Sequence, residues 1–247
     1  MSFVKSRSDA PPGFFEVEAA GLRWLRVSGG APVAEPLDVS PTQLTTRRLE
    51  SAPPTASAAE DFGRRLAVTH DAGARYFGVP PDGWEGDGYI GTLPLPHASE
   101  PPRSWGEFYA NLRLRPYLRA ARERGLRLNE FEGVCRRLEA GTYDDPSDGP
   151  SRIHGDLWSG NVLWTPRGVH LIDPAAHGGH RETDLAMLAL FGLPQLDRVL
   201  RAYDEAHPLA DGWRDRIGLH QLHPLLVHVV LFGGGYVGQA VELGLRY

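Results

Sequence analysis

Asp156, Asn161 and Asp173 are spaced along the chain in a way that suits phosphoryl transfer. That reaction needs a carboxylate to take the proton of an attacking hydroxyl. It needs an amide oxygen and a second carboxylate to hold magnesium, and a cation to grip the phosphates. Magnesium prefers hard oxygen ligands and keeps several waters, so one asparagine and one aspartate suffice from the protein. Singly, Asp and Asn are the residues that turns select, and a strand-end Asp is a common cap. Four residues separate Asp156 from Asn161, and a tight hairpin separates Asn161 from Asp173; in that arrangement the three make a catalytic set. Composition singles out the cation: of 26 lysine and arginine residues, only Lys5 is a lysine. A genome whose codon bias favours arginine would account for the rarity. The survivor closes the apolar run Phe3-Val4, as a strand carrying a phosphate-binding lysine would, and it offers a compact charge on a flexible stem.

The elements that must position these residues follow from periodicity. Val162-Leu163-Trp164 and Val169-His170-Leu171-Ile172 read as two strands joined by the turn Thr165-Pro166-Arg167-Gly168, which returns Asp173 to the side of Asn161. Phe14 to Arg26 carries Phe14, Val17, Leu22 and Leu25 at helical spacing, with Glu18 among them. The loop Pro11-Pro12-Gly13 separates it from Lys5. Ala31 to Pro41 is punctuated by proline, and Gln43 to Leu49 reads as a strand. Ser51 to Ala59 is rich in Pro, Ala and Ser and reads as a linker. Residues 60–140 are mainly helical, with Phe62, Leu66 and His70 on one face and further helices at 105–124 and 128–140. Between them, Phe77 to Arg103 is rich in Gly and Pro and reads as a long surface excursion. Residues 141–150 form a turn-rich connector. Residues 182–247 are helical, interrupted by Pro194, Pro208 and Gly233-Gly234-Gly235, and Asp184 is placed to cap the first of these helices.

The 247 residues, 41% hydrophobic and 23% charged, can build one large domain or two small lobes around a real core. No stretch approaches the ~18–20 apolar residues of a membrane span, and the N-terminus lacks a signal-peptide core. A single cysteine, Cys135, in a helical segment, reads as a packing residue, and the cytoplasm is the expected compartment. A net charge of −5 without a basic run gives no hint of nucleic acid.

The segment His154 to Asn161, reading HGDLWSGN, resembles the catalytic loop of fructosamine (ketosamine) kinases. The barer pattern HGD followed by Asn is shared with aminoglycoside phosphotransferases, and its spacing is that of the protein-kinase catalytic loop. The filling Leu157-Trp158-Ser159-Gly160, the run Asp173-Pro174-Ala175, the segment Gly179 to Met187 and Phe232 to Tyr236 are similar to the fructosamine branch. The resemblance implies an α+β, protein-kinase-like two-lobe fold. A shortened N-terminal β-rich lobe over residues 1–52, a remnant sheet plus one helix, would pack on a mainly helical C-terminal lobe over 53–247. Family members carry a glycine-rich phosphate loop ahead of the lysine strand, whereas four residues precede Lys5. Where the family has an apolar pair and an acidic-aromatic pair at the hinge, this chain reads Thr45-Thr46-Arg47-Arg48-Leu49.

The resemblance also implies ATP and Mg2+ as cofactors and a ketosamine or other glycated amine as the small-molecule partner. A sugar hydroxyl would be phosphorylated, to a ketosamine 3-phosphate, as a step in deglycation. Asp156 would be the base, Asn161 and Asp173 would hold magnesium, and Lys5 would hold the α- and β-phosphates, paired with Glu18. Asp184 would brace the catalytic loop. His154 would pack and hydrogen-bond rather than act as a base. Trp158 and Tyr236 would border the sugar. His177 and His180 lie near Asp173 but lack the cysteine partners or the helical spacing of a metal site. His220, His223 and His228 read as helix-packing residues. An aminoglycoside or other hydroxylated amine as acceptor is the alternative with the same fold; an inactive truncated pseudokinase is the alternative without catalysis.

Overall fold

In the computed structural model, which describes residues 1–145 and 148–247, strand β1 (Ser2–Ser6) pairs antiparallel with β3 (Gln43–Arg47), setting Lys5 opposite Leu44. Strand β2 (Pro36–Ser40) pairs with the other side of β3, giving the order β1-β3-β2. Helix α1 (Phe14–Trp24) starts after Gly13, whose φ of 79° turns the chain. It buries Phe15, Ala19 and Leu22 in a core shared with Leu44, with Phe62 and Leu66 of α2 (Ala56–Asp71), and with Val162 and Leu171.

Helix α2 begins inside the stretch 51–59 that composition assigns to a linker. Thr55 is the reason: its hydroxyl accepts from the Ala58 N–H at 3.2 Å and caps the first turn. The segment 77–103 is also more than a surface excursion. It contains a hairpin, β4 (Gly88–Ile90) and β5 (Leu93–Leu95), and buries Val79, Ile90 and Leu95. Three-residue strands are too short to display a period of two. The helix expected over 105–124 is α3 (Trp105–Phe108), a π-helical stretch (Tyr109–Leu114) and α4 (Arg115–Glu123). The widened turns bury Arg113, which donates from Nη1 to the Pro96 carbonyl at 2.7 Å, while Tyr117 donates to the Pro94 carbonyl at 2.9 Å. One carbonyl of β5 and one just past its end are thereby tied to the helical body.

Helices α5 (Phe131–Glu139), α8 (Trp213–Phe232) and α9 (Val237–Arg246) complete a second core around Phe108, Leu114, Phe131, Cys135 and Leu225. Of the connector 141–150, residues 146 and 147 lie outside the described residues. Strand β6 (Ser151–Ile153) pairs with β9 (His177–Gly179), and β7 (Val162–Thr165) pairs with β8 (Gly168–Leu171), Val162 opposite Leu171. Helices α6 (Arg181–Leu190) and α7 (Leu196–Ala206) follow, with Pro194 between them. His180, not Asp184, caps α6: its ring accepts from the Glu182 N–H at 3.2 Å, which puts Asp184 in the first turn. Among the described residues no helix is long and apolar enough to cross a membrane.

Candidate active site

The β7–β8 hairpin sets the geometry. Its ends bring Asn161, in the short 3-10 turn before β7, beside Asp173, just past β8, with the Ile172 N–H donating to the Asn161 carbonyl at 3.1 Å. The buried Asn161 side chain points its amide nitrogen at Asp156, 2.8 Å from its carbonyl and 3.0 Å from its carboxylate, and 3.5 Å from the Asp173 carbonyl. Committing Nδ2 to these acceptors turns Oδ1 the other way, as a neutral hard-oxygen donor. Asp173 takes a φ of 53°, a left-handed conformation that Asp tolerates better than most residues, and leaves its carboxylate exposed.

Lys5 reaches over from β1. Its Nζ lies 2.8 Å from the Glu18 carboxylate on α1 and 3.3 Å from that of Asp173. Burial works against the ammonium, but the two carboxylates outweigh it and hold the Lys5 pKa above its ordinary value. Glu18 is pushed up to about 7 by burial, with Lys5 pulling the other way. Burial also raises Asp156 to about 7, against the hydrogen bond from Asn161. A carboxylate poised near neutrality suits a general base.

His154 is buried and held neutral by that burial. Its Nδ1 accepts from the Asp156 N–H at 3.3 Å, and its Nε2 donates to the Ile172 carbonyl at 2.9 Å. The ring thus ties the Asp156 loop to the end of β8. Asp184 accepts from the N–H groups of His154 at 2.7 Å and Gly155 at 3.0 Å. Sequence reading missed one member of this group, His70, whose Nε2 lies 3.2 Å from Asp184. The available signal was its place on the apolar face of α2, because a histidine buried there must find polar partners.

Two cavities meet at this cluster. One, of about 570 Å³, is walled by Leu22, Ala34, Leu44, Leu163 and Ile172, with Thr46 to Leu49 at its rim, and is of a size for a nucleotide. The other, of about 230 Å³, is lined by Asp156, Trp158, Asn161 and the hairpin residues Tyr89, Ile90 and Gly91. Lys5, Glu18 and Asp173 border both. Beyond Trp158, which is 41% exposed, runs a row of rings: Trp158 to Phe191 at 6.3 Å, Phe191 to His228 at 4.8 Å, and His228 to Tyr236 at 5.0 Å. Phe232 flanks it, 66% exposed and 6.2 Å from Tyr236.

His180, Glu182 and His220 also converge, their ligand atoms within 4.8 Å of one another. The Glu182 carboxylate is taken by Arg216 through two nitrogens, at 2.9 and 2.5 Å. An arginine in that position opposes a cation, and the cluster reads as a buried ion-pair network.

The profile of the fructosamine kinase family matches residues 1–244. A protein of Thermus thermophilus named a ketoamine kinase is 34% identical over 238 residues, covering 95% of this chain and 83% of that protein. A crystal structure assigned as a fructosamine-3-kinase of Thermobifida fusca superposes with a TM-score of 0.89 at 51% identity, covering 100% of this chain and 86% of the other. APH(2″)-IIa in a ternary complex with streptomycin and ATP shares the fold at a TM-score of 0.57 and 13% identity, over 100% of this chain and 85% of that one. The fold is therefore the α+β, protein-kinase-like one, and the chain belongs to the fructosamine kinase family.

Proposed function

We propose that this chain transfers the γ-phosphoryl group of ATP to a sugar hydroxyl of a fructosamine or related ketosamine. The observation that carries the reading is the convergence of Asp156, Asn161, Asp173 and the Lys5–Glu18 pair where the two cavities meet. ATP would occupy the larger cavity, its adenine between Leu22, Ala34, Leu44, Leu163 and Ile172. Lys5, oriented by Glu18, would hold the α- and β-phosphates. The acceptor would enter the smaller cavity with its hydroxyl against Asp156, which takes the proton as the oxygen attacks phosphorus. Asn161 Oδ1 and the Asp173 carboxylate fit magnesium, which supplies charge neutralisation at the phosphates when bound. His154 and Asp184 hold the Asp156 loop in register.

The acceptor side favours a sugar-amine over a polycation. Glu18 is committed to Lys5 and Asp156 to Asn161, while the outer flank is the aromatic row from Trp158 to Tyr236. Rings of this kind stack on the apolar face of a sugar and leave its hydroxyls free. The product would be a ketosamine 3-phosphate, a step in deglycation, and the compartment the cytoplasm. Residues 1–52 and 53–247 would act as the two lobes. The test is magnesium-dependent ADP release with a small fructosamine, an aminoglycoside and a blank. Turnover stimulated by fructosamine supports the reading; turnover with the aminoglycoside alone replaces it.

A further inference from the structure

Asp184 is fully buried, and its carboxylate accepts from two loop N–H groups and faces His70 Nε2. Which ring nitrogen of His70 carries the proton decides whether that third contact holds or repels. The answer lies on the other side of the ring. Arg181 is always a donor, and its Nη1 gives a hydrogen bond to the Tyr203 hydroxyl oxygen at 3.1 Å. The Tyr203 proton must then point elsewhere, and among the described residues its remaining partner is His70 Nδ1, at 2.8 Å. Nδ1 is therefore an acceptor, and the hydrogen of the neutral ring sits on Nε2, aimed at Asp184. With both nitrogens protonated, the Tyr203 oxygen would face two donors and its own proton would be left buried without an acceptor, an arrangement that folded proteins avoid. Arg181 itself is fixed by Asp71 and Asp148, each at 2.9 Å.

We propose that Arg181, Tyr203 and His70 form a one-directional hydrogen-bond relay that locks His70 in its Nε2–H tautomer and, through Asp184, positions the His154–Asp156 loop for catalysis. His70 and Tyr203 are positioning residues: they touch no reacting atom, and they join α2 and α7 to the loop. Removing the Tyr203 hydroxyl frees the tautomer. Asp184 then faces a lone pair part of the time, and the loop N–H groups lose their fixed anchor. The kinetic consequence rests on the kinase reading above; the tautomer does not.

The test uses the whole chain. Nitrogen-15 NMR of the histidines, with the His70 signals assigned by their absence in His70→Gln, is expected to show an unprotonated Nδ1 and a protonated Nε2. Tyr203→Phe is expected to abolish that bias and to lower kcat roughly 10- to 100-fold, as a displaced catalytic group does, with KM for ATP and acceptor unchanged. His70→Gln, whose amide can donate toward Asp184 and accept from Tyr203, is expected to keep most of the kcat that His70→Leu loses. An Nδ1-protonated His70 overturns the relay whatever the activity. So does Tyr203→Phe with normal kcat, or His70→Gln as impaired as His70→Leu. If the unmodified chain turns over no ketosamine, the functional reading fails and the NMR result still decides the relay.

Discussion

Gly155 faces the carbonyl of Ala175 so closely that a Cβ on it would lie 2.2 Å from the oxygen, and its φ is 79°. Both facts exclude any side chain between His154 and Asp156. Gly155→Ala is expected to cost about 2–5 kcal/mol, from a left-handed backbone plus overpacking, and to move Asp156 away from Asn161. Urea unfolding and turnover check this, and a variant as stable and active as the parent sinks it.

Asp156→Asn keeps the shape of the side chain and removes the base. Turnover is expected to fall roughly 10²- to 10⁴-fold. The melting temperature should hold or rise, because a carboxylate destabilised by burial has gone. Equal loss of activity and of folding would count against a catalytic role.

Lys5→Met and Glu18→Gln are expected to lower kcat/KM for ATP while leaving KM for the acceptor near its parent value. A lost charged hydrogen bond of about 1.5–3 kcal/mol corresponds to roughly 10- to 100-fold. Lys5→Arg should also be impaired, since a planar fork does not replace a point charge between Glu18 and Asp173. Normal ATP kinetics in Glu18→Gln would reduce the 2.8 Å contact to a structural one.

Trp158→Ala and Tyr236→Ala bear on the opposite flank. Each is expected to raise KM for a fructosamine several-fold, within the ~1–3 kcal/mol of a stacked ring, and to spare KM for ATP. A matching rise in the ATP constant would place these rings outside the acceptor site.

Acid should loosen this fold before ordinary carboxylates titrate. Burial holds His97 down at about 4 and His180 at about 3, and pushes His177 and His223 well below the ordinary histidine value. Between pH 6.5 and those values the unfolded chain binds protons that the folded chain refuses, so stability falls as pH falls through that window. Each histidine removes up to ~1.4 kcal/mol per pH unit. Asp156 and Glu18, raised to about 7, act in the opposite sense, but four groups outweigh two. Unfolding free energies from urea titrations at pH 7.5 and 5.5 should differ by about 1–2 kcal/mol, the protein being weaker at pH 5.5; equal values would show that the histidines are not buried as described.

The convergence of Asp156, Asn161 and Asp173 was legible because its geometry is local. Asp156 and Asn161 share one loop, and a four-residue turn suffices to bring Asp173 back. Lys5 was legible through composition, as the one lysine in the chain. What escaped depends on contacts distant in sequence. The bracing of the loop by Asp184 came only from the resemblance, since from its position alone Asp184 reads as a helix cap, the place that His180 takes. Strands β6 and β9, three residues each, carry no periodic pattern, and the pairing of Ile153 with His177 is set by the chain between them. The π-helical turns at 109–114 look like ordinary helix in sequence, because the buried arginine that marks them is a surface residue by default.

The partition of Lys5, Glu18 and Asp173 between the two cavities also constrains the order of events. With ATP in the larger cavity and the acceptor in the smaller, as proposed, the two substrates share one wall and must both be present before the phosphoryl group can cross. Direct transfer across that wall predicts a single inversion at phosphorus, and initial-rate plots at varied ATP and acceptor that intersect instead of running parallel as a covalent phosphoenzyme requires.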